Sequence, residues 1–291
     1  MELQHRAACF ACGGHAHAIR WKSPQKSVIA CAACGAEWIV GQVDSEQAYS
    51  YTGRDDLTER YLVGRGRRFA AYLRRVLPGG QGRLLDVGCG TGAFLAEAAR
   101  LGWDVAGVEL TAEAAALARE LSGFEVRSGD ICEGQVFPPH AFEVVTLWGV
   151  LEHVPDPQAL LLASMELLRP GGVVLFETPN PRGFFRRFSR LLMRATGGRF
   201  AGPFQQTLGA GHLVWYSPRA VRAAASQLHS EVVDLRGTRN STRFLLTRWA
   251  AMPLGKRLFF QGATVGANLI AAPLGLPNQI AGALRVGEPG Q

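Results

Sequence analysis

Four of the six cysteines form two identical pairs near the start of this 291-residue chain. The pairs are Cys9-x2-Cys12 and Cys31-x2-Cys34, and 18 residues separate them. A glycine follows each pair, so two tight turns can bring four thiolates to one tetrahedral ion. The spacing therefore predicts zinc, in a structural role, because four protein ligands leave no open coordination position.

The two competing interpretations of these cysteines fit less well. Disulfides are unusual in a reducing cytosol, and a redox motif needs only one Cys-x2-Cys pair. Short apolar runs at 28–30 and 38–40 supply the strands expected of a zinc ribbon. We assign residues 1–42 to a zinc-ribbon module.

A second chemically suggestive stretch begins with an apolar run that ends at Asp86. The chain then crosses Gly88, Gly90 and Gly92 and enters an alanine-rich segment. This pattern predicts a buried strand, a tight turn and a helix. Glycines without Cβ atoms let a ligand lie against the backbone N–H groups at the start of a helix. The stretch therefore predicts a nucleotide site.

Two kinds of nucleotide compete for that site. Gly88-x-Gly90-x-x-Ala93, with Glu109 at the end of the next strand, resembles a dinucleotide fingerprint. However, Asp86 is poorly placed beside a pyrophosphate and well placed for an ammonium group. Asp130 follows the third strand and could accept a hydrogen bond from an adenine amine. Acids at three strand ends favour a ligand with adenine, ribose and a cationic amino-acid end.

The elements that must position these residues alternate regularly along the chain. Strands are predicted at 84–87, 103–108, 124–127, 142–148 and 173–177, with helices between them. Near-continuous apolar strands that alternate with helices indicate a parallel sheet covered on both faces. Such sheets bind ligands beyond the carboxyl ends of their strands. We expect an α/β fold with a Rossmann-like, doubly wound, seven-stranded and mostly parallel sheet.

Three motifs together resemble those of class I S-adenosylmethionine-dependent methyltransferases. They are Leu84–Gly92 (LLDVGCGTG), Leu151–Pro157 (LEHVPDP) and Leu168–Gly172 (LRPGG). The later two resemble the subgroup of ubiquinone-biosynthesis O-methyltransferases and sugar methyltransferases. The resemblance covers roughly residues 65–235.

The resemblance implies a role for each cofactor-side residue. The Gly88–Gly92 backbone would hold the methionine part of S-adenosylmethionine, and Asp86 its amino group. Glu109 would take the ribose hydroxyls. Cys89 would be a small residue in the turn rather than a nucleophile, and Cys132 would serve packing. The expected cofactor-binding set is Asp86, Gly88, Cys89, Gly90, Gly92, Glu109, Leu110, Asp130, Ile131 and Trp148.

The expected catalytic residues follow the fourth strand, where the methyl group should point. His153 is the first candidate for a general base; the alternative is a histidine that only orders its turn. Glu152 could position the acceptor or serve packing. His212 precedes a helix and resembles a substrate-side histidine of the same subgroup. A displacement at a sulfonium can rely largely on positioning.

Two basic, apolar segments follow the fifth strand, at 181–210 and 240–280. The chain has 31 Lys and Arg against 24 Asp and Glu, and the only acids between 178 and 287 are Glu231 and Asp234. An anionic partner is therefore expected at this end. One interpretation is a surface for anionic lipid or a lipid-linked acceptor. The other is a helical C-terminal cap whose arginines are simply solvated.

The remaining segments complete the domain assignment. Residues 43–64 are polar and read as a linker, or as a lid that lays Tyr49 or Tyr51 over the cofactor, and residues 65–291 form the methyltransferase domain. No apolar run is long enough for a membrane helix or a signal peptide. We therefore expect a cytoplasmic protein, with peripheral contact to the inner membrane face under the interfacial interpretation.

We expect methyl transfer to a small molecule, a glycan or a lipid-linked acceptor, most simply at a hydroxyl oxygen. RNA methylation is the first alternative, although the ribbon segment is only mildly basic, with Arg20, Lys22 and Lys26, and shows no aromatic platform. A non-catalytic binding protein is the second alternative.

Overall fold

The computed structural model describes residues 2–3, 8–42, 56–134, 136–199, 201–208, 211–238, 255 and 275–287. Tyr49, Tyr51 and nearly all of the predicted 240–280 insertion lie outside these residues. The strands are β1 Glu2–Leu3, β2 His17–Lys22, β3 Lys26–Cys31, β4 Glu37–Gln42, β5 Arg83–Val87, β6 Asp104–Glu109, β7 Glu125–Ser128, β8 Phe142–Trp148, β9 Leu168–Pro179, β10 Val214–Trp215, β11 Ser230–Thr238 and β12 Gln279–Val286. The helices are α1 Asp56–Val76, α2 Ala93–Arg100, α3 Ala112–Ser122, α4 Pro157–Glu166, α5 Phe184–Ala195, α6 Gly202–Thr207 and α7 Pro218–Gln227.

Seven strands form the central sheet, in the order β11-β12-β9-β8-β5-β6-β7. The five strands from β9 to β7 pair in parallel, whereas β12 runs antiparallel to both β9 and β11. The predicted Rossmann-like sheet is confirmed. Its parallel strands end at one edge, so Asp86, Glu109 and Glu152 lie on the segments that meet there.

Both faces of this sheet are covered, as the apolar strands require. Leu84 and Leu85 are fully buried neighbours on β5, yet they belong to two different hydrophobic clusters. Val144 and Val145 on β8 divide in the same way. Because successive side chains of a strand point to opposite faces, each cluster marks one face. Residues of α1 and α2 pack in one cluster, and residues of α4 and α7 in the other.

Helix boundaries agree with the sequence where local capping decides them. Thr111 caps α3 through its side-chain oxygen, which accepts from the Ala114 N–H at 3.1 Å, as predicted. The predicted linker at 43–64 is wrong in its second part, because α1 begins at Asp56. Residues 56–64 are thus helix and not linker. Glu177 at the end of β9 fixes α1, since it accepts bonds of 2.6 and 2.7 Å from Arg68.

The cysteine-bearing N-terminal segment forms a second sheet with the order β1-β4-β3-β2. The sequence predicted β3 and β4 but missed β2. The sequence also did not indicate that β10, which lies much later in the chain, pairs antiparallel with β4. Val214 lies opposite Trp38, and Trp215 lies opposite Glu37. The N-terminal module and the domain that contains the central sheet are therefore joined through one shared sheet.

A buried ion cluster joins this module to the basic, apolar segment at 181–210. Glu37 on β4 accepts hydrogen bonds from Arg186 at 2.8 and 3.1 Å and from Arg190 at 2.8 and 3.0 Å. The Arg186 and Glu37 side chains are only 4% and 5% exposed. The expectation that the arginines of this segment are simply solvated is wrong for these two. They hold α5 against the module.

Although α5 buries Met193, it turns these two arginines inward and leaves part of its apolar surface exposed. Phe188 is 52% exposed and Leu191 67% exposed. The Phe184 ring stacks on Phe188, with centroids 6.1 Å apart. Arg187 and Arg194 are also exposed on this helix. Among the described residues, no helix combines the length and the apolar character needed to cross a membrane.

We expect Glu37→Gln to lower the free energy of unfolding by about 3–5 kcal/mol, because it leaves two buried guanidinium groups without their carboxylate. Glu231→Gln is the matched control, since its ion pair with Arg285 is exposed to solvent. That change should cost less than about 1 kcal/mol. Urea unfolding of the full chain measures both. Equal costs would contradict the structural role assigned to Glu37.

Candidate functional site

The glycine turn after β5 has the backbone that the sequence suggested. Gly88 and Gly90 have φ values of 69° and 58°, in the region that favours glycine. The two positions differ in their surroundings. A Cβ on Gly88 would lie 2.9 Å from the side chain of Val150, whereas a Cβ on Gly90 would meet no atom within 4 Å. The open side of the turn is therefore at Gly90, where backbone can face a ligand.

Asp86 lies buried beneath this turn, with a side chain that lacks a cationic hydrogen-bond partner among the contacts of the described residues. Its Oδ1 accepts a 2.5 Å hydrogen bond from the Thr146 hydroxyl, and the residue is 3% exposed. Burial raises the pKa of Asp86 to about 8, and the nearby Glu109 carboxylate adds to the effect. The site is thus prepared for a positive charge beside Asp86.

The other two strand-end acids lie on the neighbouring strands. Glu109 accepts a hydrogen bond from the Gly90 N–H, and burial raises its pKa. Asp130 follows β7, and its Oδ1 accepts from the Cys132 N–H at 2.8 Å. Leu110 is an exposed apolar side chain next to Glu109. The structure thus places these acids on adjacent strand ends, as the sequence predicted.

Three residues of the predicted cofactor set differ in what they can offer. The Trp148 ring stacks on Phe69, with centroids 4.3 Å apart, and packs in the core. Its backbone oxygen faces Arg65, which donates to it at 3.4 Å. Cys89 is buried, and burial raises the pKa of its thiol, so it is a neutral packing group. The predicted packing role of Cys132 is wrong, because this residue is exposed. Ile131 packs partly buried beside the core.

The predicted acceptor-side residues meet although they are far apart in sequence. Ligand atoms of Glu152, His153 and His212 all lie within 4.8 Å of one another. The two histidine rings are edge to face, with centroids 4.8 Å apart. A carboxylate with two imidazoles is also a donor set that suits a divalent cation. The sequence placed these groups on one side of the sheet, and the structure brings them into contact range.

The chemistry of His153 follows from its surroundings. Its Nδ1 lies 3.1 Å from the carbonyl oxygen of Gly211 and must therefore carry the proton of that hydrogen bond. Burial lowers the pKa of His153, so the ring is neutral near pH 7 and its Nε2 has a free lone pair. A neutral imidazole with Nε2 available can accept a proton.

Glu152 is an acid whose ionised form is disfavoured by burial. The residue is 5% exposed, and its Oε2 is buried without a hydrogen-bond partner among the described residues. Burial raises the pKa of Glu152 to about 8. A protonated carboxyl here could donate a hydrogen bond, and an ionised one could bind a cation.

Arg65 is the residue near the site that sequence reasoning missed. It lies on α1, and its positive charge acts on the pKa values of Asp86, Glu152 and His153. A Cβ on Gly149 would lie 3.0 Å from its guanidinium nitrogen. The sequence signal that could have indicated Arg65 was its helical spacing with Phe69. In the structure the Arg65 guanidinium lies 5.2 Å from the centroid of the Phe69 ring.

The four cysteines of the N-terminal module form a compact cluster. Their sulfur atoms all lie within 4.8 Å of one another, with 3.6 Å between Cys9 and Cys34 and between Cys12 and Cys31. A disulfide requires about 2.05 Å. Four thiolates at about 2.3 Å from a tetrahedral zinc ion would be about 3.8 Å apart. The hydrogen bond from Cys34 lowers the pKa of Cys9 to about 5. The cluster is compatible with zinc.

Comparison with known proteins shows the family to which this chain belongs. Residues 60–235 match a family described as "Methyltransferase domain". A ubiquinone biosynthesis O-methyltransferase from Albidiferax ferrireducens is 34% identical over 122 residues, which is 39% of this chain and 48% of that protein. The protein of the same name from Bordetella avium is 31% identical over 184 residues, covering 57% of this chain and 75% of that protein.

A solved structure agrees with the fold. A putative methyltransferase from Bacillus halodurans superposes with a TM-score of 0.52 at 16% identity, covering 77% of this chain and 98% of that one. The chain spans about half the length of the first curated relatives that it matches. The matched family region begins after the cysteine module.

The raised pKa of Asp86 predicts how the stability of the ligand-free protein depends on pH. Folding favours the protonated acid, so this stabilisation is complete below about pH 4 and is lost as the pH rises through 8. Asp86→Asn keeps an acceptor for Thr146 but does not titrate. The unfolding free energy of the parent should fall relative to Asp86→Asn by about 1.4 kcal/mol per pH unit within this window.

Urea unfolding of both proteins at pH 5, 6, 7 and 8 measures that difference. Glu152 titrates in both proteins, so its contribution cancels. A difference that stays constant with pH would show that Asp86 is ionised in the folded protein throughout.

Proposed function

Because the chain belongs to the class I methyltransferases that use S-adenosylmethionine, we propose that it transfers a methyl group from this cofactor to a hydroxyl oxygen of its acceptor. One observation carries the proposal. The carboxyl edge of the sheet presents a buried acid in need of a cation, an open glycine turn and a neutral histidine whose Nε2 can accept a proton. This combination suits a cofactor with an ammonium group on one side and a proton-bearing acceptor on the other.

The cofactor-side residues fit their proposed roles. S-adenosylmethionine, when bound, supplies a methyl group activated on a sulfonium. The Asp86 carboxylate would pair with the ammonium group of the cofactor, and that cation would offset the burial that now raises the Asp86 pKa. Gly88, Gly90 and Gly92 would supply backbone contacts. Glu109 would accept from the ribose hydroxyls, with Leu110 against the adenine, and Asp130 and Ile131 would contact the adenine edge.

On the acceptor side, His153 acts as the general base in this proposal. The Gly211 carbonyl holds the Nδ1 proton, which directs the Nε2 lone pair away from that carbonyl. Glu152 and His212 orient the acceptor from either side of this ring.

His153→Gln should lower turnover while leaving cofactor binding unchanged, because the residue does not contact the cofactor in this arrangement. Loss of cofactor binding in that variant would contradict the assignment.

The names of two relatives suggest which class of acceptor to assay first. Two relatives named above are called ubiquinone biosynthesis O-methyltransferases, so a small hydroxylated molecule or a lipid-linked one is the first class to assay. A glycan acceptor is the second. RNA methylation is the weaker alternative, because one face of the module is used against β10 and α5 within the chain. If no acceptor in the screen is methylated, the alternative is a protein that binds the cofactor without catalysing methyl transfer.

We also propose that the four cysteines hold one structural zinc ion. The sulfur–sulfur distances support the proposal, and so does the pair of glycine turns. The Gly13 N–H donates to the Cys9 oxygen at 2.9 Å, and the Gly35 N–H donates to the Cys31 oxygen at 3.0 Å. The two halves of the cluster thus have the same local geometry, as expected of two zinc knuckles.

S-adenosylmethionine should raise the melting temperature of the parent protein, because a ligand that binds only the folded state stabilises it. Glu109→Ala should abolish the shift by removing the acceptor for the ribose hydroxyls. Glu120→Ala is the matched control, since Glu120 is exposed on α3 and should leave the shift unchanged. Thermal unfolding monitored by fluorescence makes the measurement. No shift in the parent would overturn the proposed function.

The outward face of α5 predicts binding to an anionic membrane surface. Exposed Phe188 and Leu191 with exposed arginines match the pattern of an interfacial helix. The protein should sediment with phosphatidylglycerol vesicles, less so at high salt, and not with phosphatidylcholine vesicles. Leu191→Ser should reduce sedimentation several-fold. Leu162→Ser removes another exposed leucine, from α4, and should have no effect. Equal binding to both vesicle types would contradict an electrostatic interface.

A further inference from the structure

The segment from Gly211 to Ser217 touches both the cysteine module and the acceptor-side residues. On the module side, the Ile39 N–H donates to the Leu213 oxygen at 2.9 Å. The Ser217 hydroxyl donates to the backbone oxygen of Cys34, one of the four clustered cysteines, at 2.6 Å. Between these two contacts, β10 pairs with β4. We call residues 211–217 the bridge segment.

The same seven residues hold the acceptor side of the site. The Leu213 N–H donates to the backbone carbonyl oxygen of Glu152 at 2.6 Å, which fixes the backbone from which the Glu152 side chain projects. The Gly211 oxygen accepts the bond from His153 Nδ1 that fixes the tautomer and the orientation of that ring. His212 is itself part of the bridge segment, and its ring lies against His153. All three acceptor-side groups thus depend on where the bridge segment lies.

Side-chain packing fastens the bridge segment to the module more firmly than its two-residue strand could. Trp215 is completely buried, and the Arg186 guanidinium lies 4.2 Å from its ring centroid. That guanidinium is the one held by Glu37 of β4. Tyr216 meets Phe10, which follows Cys9, with ring centroids 5.0 Å apart. Phe10 and Cys34 both belong to the turns that carry the cysteines.

The cofactor-side acids have separate supports. Asp86 is bonded to Thr146 of β8, Glu109 to the Gly90 N–H and Asp130 to the Cys132 N–H. These three acids follow or end β5, β6 and β7, on the far side of β8 from β9 and β12. A disturbance of the cysteine turns therefore reaches Glu152, His153 and His212 before it reaches the cofactor-side acids.

We propose that the cysteine module is a positioning element for the acceptor side of the site. In this proposal, the metal-closed cysteine turns hold the bridge segment, and the bridge segment holds His212 and the ring of His153. The cofactor side keeps its geometry without the metal. The inference rests on the proposed function, because it takes Glu152, His153 and His212 as the groups that face the acceptor.

The test compares the full-length protein before and after zinc removal by a chelator, and after zinc is added back. Hydrogen exchange is followed by mass spectrometry in peptides covering 211–217 and 83–92. Metal removal should increase exchange in the bridge segment more than tenfold, and added zinc should restore it. Exchange in 83–92 and the affinity for S-adenosylmethionine should change less than about threefold. Cys9→Ser should mimic metal removal, and Cys132→Ser, outside the cluster, should not.

A spectroscopic measurement separates positioning from general loosening. The C2 proton of His153, assigned with His153→Gln, is titrated by NMR in the metal-bound and metal-free proteins. Loss of positioning should raise the pKa of His153 towards 6.5, because the ring leaves its buried place. An unchanged titration with unchanged exchange at 211–217 would overturn the proposal.

Two further outcomes would also overturn the proposal, and they differ from a failure of the proposed function. A rise in exchange across the whole chain, with loss of cofactor affinity, would make the module a general stabiliser. If the purified protein contains no zinc, and Cys9→Ser does not change exchange in the bridge segment, the four cysteines do not act through a metal. The proposed function fails on a separate observation, namely the absence of S-adenosylmethionine binding by the untreated protein.

Discussion

A carboxylate removed from water needs a cation, hydrogen bonds or a proton, and the structure depends on how each buried acid meets that need. Glu37 is surrounded by Arg186 and Arg190, and Glu177 by Arg68 and Thr238. These two acids connect elements, because the first holds α5 to the module and the second holds α1 across the end of β9. Asp86 and Glu152 keep raised pKa values instead, although the charge of Arg65 acts on both. The acids held by hydrogen-bonded arginines therefore maintain the architecture, and the buried acids with raised pKa values mark the place where ligands are expected.

Much of the central domain could be predicted because its signals are local. Apolar strands, glycine turns and caps such as Thr111 each act within a few residues, and parallel pairing then brings the strand ends to one edge. The positions of Asp86, Glu109, Asp130 and His153 followed from that rule alone. Contacts between distant residues could not be predicted in this way. The β4–β10 pairing and the Glu37–Arg186 ion pair each join segments more than 140 residues apart, and no periodicity in either segment indicates its partner.

The orientation of α5 shows how such a distant contact can reverse a local expectation. An amphipathic helix ordinarily buries its apolar side, and its arginines face water. Here Glu37 on another element binds the buried Arg186 and the partly buried Arg190, and Phe188 and Leu191 are left exposed. The family match from 60 to 235 contains α5 but not Glu37. The chain thus uses a residue outside the family region to set the orientation of a helix within it.

The shared sheet has a consequence for how the chain folds during synthesis. The cysteine turns and β2–β4 emerge from the ribosome before β10, which completes their sheet and follows only after some 170 further residues. Until then the Glu37–Trp38 end of β4 lacks its antiparallel partner, and Glu37 is without its arginines. Contacts this distant along the sequence form slowly, and domains otherwise tend to fold in the order of their synthesis. The module is thus made well before the strand and the arginines that complete its final structure.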